Sequence, residues 1–220
     1  MQNLFKKTTL TSKNKKFQAK IVIVVLHLVG IIGLSWDFSR PLFQWMTPFH
    51  LLITTGILLA FHRDWNPKFW LFVFLAFILG MVAEIIGVNT GMVFGSYHYG
   101  KALGVQVFGV PLMIGVNWFL LVYLTGGVFD RIIRNDLLAA FAGAILMVLM
   151  DLNMEPVAVK LDFWKWEHQE IPISNYLGWL MTAFLIQLIY RKSKFIKSNP
   201  LNSLILVNLI AFFLFLSLIL

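Results

Sequence analysis

A chain of 220 residues that is 59% apolar and 13% charged, with a mean hydropathy of +0.80, carries about half of the roughly 25% charge with which a soluble domain covers its surface. It has no Cys, which excludes disulfides, thiolate zinc sites, iron–sulfur clusters and thiol nucleophiles. The net charge of +8 raises nucleic acid as a partner, and the placement of that charge argues against it.

Residues 1–20 hold six lysines (Lys6, Lys7, Lys13, Lys15, Lys16 and Lys20) and no acid. This reads as a basic cytoplasmic arm lying against anionic lipid, followed by a single transmembrane helical domain over 21–220. Gly33-Leu34-Ser35 weakly resembles a small-x-small cleavage site, but the long basic region and the further apolar segments favour an uncleaved first helix. A bilayer core of about 30 Å takes about 20 helical residues. Seven stretches meet that need: Ile21–Trp36, Leu42–Phe61, Phe69–Val88, Val107–Phe129, Leu137–Asn153, Asn175–Tyr190 and Asn202–Leu220. Each must be helical, since lipid offers backbone groups no partner. The expected fold is therefore an all-α, multi-pass bundle of seven spans.

With the N-terminus cytoplasmic, 14 Lys and Arg fall on the inner side and 4 on the outer side (Arg40, Lys101, Lys160 and Lys165). That asymmetry is a positive-inside signal, so the +8 reports topology and not nucleic acid. Two longer connections fall on the expected outer side, a glycine- and tyrosine-rich one over 89–106 and a Trp-rich one over 154–172.

Ionisable groups inside hydrocarbon are costly and call for a reason. Glu84 lies near the end of the third span and Asp151 near the end of the fifth. Glu155 follows Asp151 by four, on one helical face if the helix continues. Pro156 predicts that the helix stops or kinks there. These acids share one depth with Asn89, Asn117, Asn153 and Asn175, and with Tyr97, His98 and Tyr99 if the glycine-rich loop folds back. A single carboxylate at a helix end often rests among headgroups; three acids and four amides at one level point to a shared polar cavity. The other half of the spans reads as nearly all apolar.

His27 and His50 read as interhelical hydrogen-bond donors, because no His or Glu partner at ligand spacing accompanies them, and no metal site is expected. The spacings Gly87/Gly91/Gly95 and Ala139/Gly143 suit close helix approach. Trp164, Trp166, Tyr176 and Trp179 match an interfacial belt or an apolar substrate groove. Pro111 is expected to kink the fourth helix beside Asn117 and Trp118.

Three blocks together resemble the CruF-type carotenoid hydratases, a membrane family of carotenoid biosynthesis proteins. They are Glu84 through Tyr99 with Leu103-Gly104, Gly109 through Trp118, and Asp151 through Ala158 with Trp164, Trp166 and Ile171 through Trp179. The third block often reads Asp-Pro in that family, where this chain has Glu155-Pro156, an acid one methylene longer. The resemblance implies addition of water to the terminal double bond of an acyclic carotenoid end group, of lycopene or γ-carotene type, giving a tertiary alcohol. It implies a carotenoid substrate within the bilayer, membrane lipid and other enzymes of the pathway as partners, and the cytoplasmic membrane of a bacterium or archaeon as the setting.

The chemistry supplies roles that the resemblance does not. Alkene hydration needs a proton, shelter for a tertiary cation and an oriented water, and in principle no cofactor. Asp151 is the expected proton donor, with Glu84 a close competitor that otherwise orients water or balances the cation; Glu155 completes the acid set and a shared proton is open. Asn89, Asn117, Tyr97 and Asn153 would hold water, and Trp118 and Phe94 would face the cation. Tyr99, Trp164, Trp166 and Asn175 complete the expected substrate site. Two other classes use similar residues. A proton- or cation-coupled transporter of small solutes should carry polar groups in both halves of the membrane. A carotenoid-binding scaffold would need the aromatics without the acids.

Overall fold

A computed structural model of the chain describes residues 2–168 and 170–220, with side chains from Lys13 onward. The side chains of Lys6 and Lys7, in the expected basic arm, lie outside the described residues. Among the described residues seven helices run α1 (Gln2–Ser35), α2 (Arg40–Ala60), α3 (Pro67–Thr90), α4 (Leu112–Phe129), α5 (Asp136–Lys160), α6 (Ile173–Lys192) and α7 (Asn202–Ile219). All seven are long and apolar enough to cross a membrane, so the chain is an all-α integral membrane bundle.

The helix starts follow local chemistry. Asn66 and Asn135 cap α3 and α5, their side-chain oxygens accepting from the amides of Phe69 at 3.0 Å and Leu138 at 3.1 Å. Pro41 and Pro67 fill first-turn positions, where a missing N–H costs nothing. At the far end of α3, Gly91 takes the left-handed cap conformation (φ +69°).

The spans divide by burial. Helix α4 is apolar on every side and is the most enclosed, with an almost unbroken buried run from Trp118 to Gly126. Helices α1 and α2 instead present exposed residues such as Val25, Val29, Met46 and Ile53, as lipid-facing surfaces do. Close approach around α4 depends on glycine: a Cβ at Gly80 would lie 2.4 Å from the Trp118 side chain, and one at Gly115 would lie 2.6 Å from Phe77.

Three local expectations give way. Helix α5 does not stop at Pro156 but continues to Lys160, with Pro156 inside it. The ring removes one donor, that to the Leu152 carbonyl, a loss that a packed membrane bundle tolerates. Helix α4 begins at Leu112 and not near 107, because Gln106–Val107 (β2) and Val110–Pro111 (β3) pair as a small hairpin. Phe108 and Gly109, at φ 50° and 82°, form its turn, and Pro111 caps α4 instead of kinking it. Of the three spaced glycines only Gly87 serves a close approach from within a helix, since Gly91 ends α3 and Gly95 lies in the loop at φ +108°.

Two further strands cross the longer connections. Tyr97–Tyr99 (β1) and Trp164–Trp166 (β4) pair antiparallel, with Tyr97 opposite Trp166 and Tyr99 opposite Trp164. This ribbon lies over the end of the bundle where α3 and α5 finish and α4 and α6 begin.

Candidate active site

Strand alternation decides what the ribbon presents. Residues 97, 99, 164 and 166 share one face, while His98 and Lys165 share the other. The ribbon therefore turns two phenols and two indoles toward the helices and leaves His98 and Lys165 exposed. The loop before it is seated by small residues. A Cβ at Gly87 would lie 2.6 Å from the Phe94 ring, and one at Gly178 would lie 2.5 Å from the Val93 carbonyl.

Beneath the ribbon the three acids converge, all buried. Glu84 Oε2 accepts the hydroxyl protons of Tyr97 and Tyr99, the latter at 2.7 Å, and its Oε1 accepts the Trp118 indole N–H at 3.0 Å. Glu155 Oε2 accepts both ribbon indoles, Trp164 and Trp166, each at 3.0 Å. Asn175, in the first turn of α6, donates to Asp151 Oδ2 at 2.7 Å and to Glu155 Oε1 at 3.3 Å. Asp151 Oδ1 differs from the rest: it is buried and, among the described residues, has no hydrogen-bond partner.

An indole can only donate, so Glu84 Oε1 and Glu155 Oε2 are acceptors and carry no proton at those contacts. Burial first, and then the Glu84 charge, push the Tyr97 and Tyr99 phenols above their ordinary range. Both therefore stay donors to Glu84 at any physiological pH. The cavity between these groups has a volume of about 30 Å³, space for one or two ordered waters, each needing about 10–15 Å³. Its apolar wall includes Phe94 and the stacked pair Trp118–Trp179, whose ring centroids lie 4.5 Å apart.

Most of the residues singled out in the sequence meet here. Glu84, Phe94, Tyr97, Tyr99, Asn117, Trp118, Asp151, Glu155, Trp164, Trp166 and Asn175 all line the cavity. Two do not. Asn89 is exposed and donates back to the Ile85 carbonyl and across to Phe108, tying α3 to the hairpin. Asn153 donates to the Ile210 carbonyl of α7 at 3.0 Å, on the α5 face away from Asp151. Trp179, for which the sequence left an interfacial belt and an apolar substrate groove both open, lines the cavity. Its position four residues after Asn175, on the same helical face, is the signal that could have found it. Trp164 and Trp166 take the substrate-site alternative as well, with their N–H groups committed to Glu155.

The opposite half of the bundle is not apolar, contrary to expectation. Gln187 donates to Thr125 Oγ1 at 2.7 Å and to the Val122 carbonyl at 3.2 Å, and Asn202 donates to the Leu124 carbonyl at 2.8 Å. Nearer that end His62 Nε2 donates to the Asp64 carbonyl and its Nδ1 accepts from Tyr123, both at 2.8 Å. Burial holds His62 below its ordinary pKa, which matches this neutral form. These groups are uncharged, and glycines bring the helices close around Gln187. His27, in turn, donates within its own helix, to the Ile23 carbonyl at 2.8 Å, and meets His50 edge-on with centroids 4.8 Å apart. It does not make the interhelical hydrogen bond expected of it. Among the described residues no three His, Asp or Glu side chains are placed to hold one metal ion.

Comparison with known proteins adds two findings. The family model described as carotenoid biosynthesis protein matches residues 46–220, which contain every group of the cavity. A bisanhydrobacterioruberin hydratase of Haloarcula japonica is 32% identical over 118 residues, covering 49% of this chain and 39% of that protein. The match thus spans about two-fifths of the length of this curated relative. No solved structure matches the chain significantly.

Proposed function

The chain belongs to the carotenoid biosynthesis protein family, and from that premise we propose that it is a hydratase, adding water to the terminal carbon–carbon double bond of an acyclic carotenoid end group to give a tertiary alcohol. The single observation that carries the reading is the unequal treatment of the three acids. Glu84 and Glu155 each accept three hydrogen bonds from N–H or O–H donors. Asp151 has one such bond and one bare buried oxygen. A bare carboxylate oxygen buried away from bulk water is costly, and a proton on Oδ1 turns it into a donor at the cavity.

The reaction then needs nothing that the cavity lacks. Asp151 Oδ1 gives its proton to the less substituted alkene carbon as the π pair forms the new C–H bond, leaving a tertiary cation on the neighbouring carbon. The ionised Glu84 and Glu155 balance that charge, and the Trp118–Trp179 stack and Phe94 offer it aromatic faces. A water beside Asn117 bonds through oxygen to the cation. Its surplus proton returns to Asp151 Oδ2 or Oδ1, so acid and base are one residue in alternate states. Atoms balance as alkene plus water giving alcohol, and no cofactor is consumed.

The hydratase name of the matched relative supports this reaction class. The carotenoid would be taken from the bilayer, with other enzymes of the pathway supplying the acyclic end group and consuming the alcohol. We take the cytoplasmic membrane of a bacterium or archaeon as the setting, with the N-terminus inside on the strength of the Lys and Arg asymmetry. Expression in cells that accumulate lycopene, followed by chromatography and mass spectrometry of the pigments, tests the reading. A pigment heavier by one water is expected. Unchanged lycopene and unchanged monocyclic carotene, with the protein present in the membrane, would contradict it.

A further inference from the structure

A second and larger cavity, of about 230 Å³, adjoins the acid pocket. Helices α1, α2 and α7 form most of it, with the start of α4 as its floor, and its lining is almost wholly apolar. Ile114, Asn117 and Trp164 line both cavities, so these three side chains form a shared wall between the groove and the acid pocket. Its other side reaches the lipid-facing surface, because the lining residues Val29, Met46, Phe49 and Ile53 are exposed. One glycine lets the α7 wall pack closely against α1. A Cβ at Gly30 would come to 3.0 Å from the Phe212 ring, which forms the α7 wall.

We propose that this groove is the berth for the end segment of the polyene, entered sideways from the bilayer between α1 and α2, and that the rest of the substrate stays in lipid. The inference rests on the hydratase reading and deepens it by stating how the substrate is held. Size carries the second half of the claim. Drug-sized ligands fill clefts of about 300–1,000 Å³, and a C40 carotenoid is larger than such ligands. A 230 Å³ groove therefore encloses only the part of the chain next to the reacting bond. The shared wall at Ile114, Asn117 and Trp164 carries the first half, since a chain lying in the groove brings its end up against the acid pocket there. It follows that the enzyme reads one end at a time. A substrate with two equivalent ends is hydrated in two separate binding events, with release to the bilayer between them.

The same groove chemistry would suit a phospholipid acyl chain, so the test must separate the two occupants. The full chain is placed in lipid nanodiscs and titrated with lycopene, binding being read from the polyene absorption band and not from turnover. Thr47→Trp and Met113→Trp each fill the groove from a different wall, away from the acids. Either is expected to weaken lycopene binding by about tenfold or more, because buried apolar area drives the association. In the unaltered protein, bound lycopene is expected to shield Met46, Phe49 and Ile53 from a lipid-soluble carbene label, a readout that needs no variant to fold.

Lycopene that binds equally well to both folded variants and leaves those residues labelled would overturn the berth. So would loss of a co-purifying phospholipid from the variants with lycopene binding unchanged. Lycopene that fills the groove but is never hydrated would leave the berth standing and sink the hydratase reading. With a two-ended substrate, the singly hydrated product should build up first, and excess unlabelled lycopene added midway should stop the second hydration. Direct conversion to the doubly hydrated product despite that trap would contradict the one-end berth.

Discussion

Two buried polar regions lie at opposite ends of the same bundle, and they are built on different principles. Around Gln187 the groups are neutral, and glycine brings the helices tightly together: a Cβ at Gly143 would lie 2.8 Å from the Gln187 amide, and one at Gly126 would lie 2.6 Å from it. Around Asp151 three acids meet under phenols and indoles drawn from a ribbon, with room left for water. Buried polarity alone therefore does not mark a site in this protein. A buried oxygen without a partner does not mark it either, since Gln187 Oε1 and Asn202 Oδ1 share that state with Asp151 Oδ1 among the described residues; charge beside a water-sized cavity does, whereas neutral groups in close contact serve as adhesive between helices.

That contrast predicts effects on different observables. Asp151→Asn removes the transferable proton while keeping shape and the contact with Asn175. Turnover should fall about 10³-fold, within the range for loss of a general acid and equal to about 4 kcal/mol of barrier, with the melting temperature almost unmoved. Retained turnover would mean that another acid donates. Glu84→Gln should cost about 10²-fold, or about 2.7 kcal/mol, as loss of one charge facing the cation. It should also put an NH2 donor where one acceptor oxygen was, breaking either the Trp118 contact or the two tyrosine contacts, so a shift in aromatic ultraviolet absorption would accompany it.

On the adhesive side the order of effects reverses. Gly143→Val should destabilise the bundle by about 1–3 kcal/mol through overpacking against Gln187, with turnover per folded molecule unchanged. Gln187→Leu should cost less, about 0.6 kcal/mol by the average for interhelical hydrogen bonds in membranes, again without loss of turnover. Equilibrium unfolding in mixed detergent measures both. If either substitution abolished turnover while the protein stayed folded, the division into site and adhesive would fail.

The sequence disclosed the fold because lipid leaves few choices: a run of about 20 apolar residues must be helical and must span. It disclosed the acids for the same reason, as costly groups at one depth. It hid what depends on pairing between distant segments. Nothing local to Tyr97-His98-Tyr99 or Trp164-Lys165-Trp166 announces that they form one ribbon, so the sequence left the indoles between a headgroup belt and a substrate groove and did not show them as donors to Glu155. Asn89 and Asn153 share the depth of the acids but face Phe108 and Ile210, a matter of helical rotation that depth does not encode. The groove was equally hidden, since its walls come from α1, α2 and α7, whose sequences show only apolar surface. The stop offered at Pro156 did not occur, because a backbone group that water would have to satisfy is tolerated inside a packed bundle.

The most direct test of the central claim is isotopic. The purified chain in nanodiscs is given lycopene in water enriched in oxygen-18, and separately in deuterium oxide, beside its Asp151→Asn form. The account predicts an alcohol whose oxygen comes from the labelled water and one deuterium on the adjacent carbon, with both lost in the variant. An unlabelled alcohol oxygen would show that water is not the reactant, and an undiminished labelled product from the variant would show that Asp151 is not the acid.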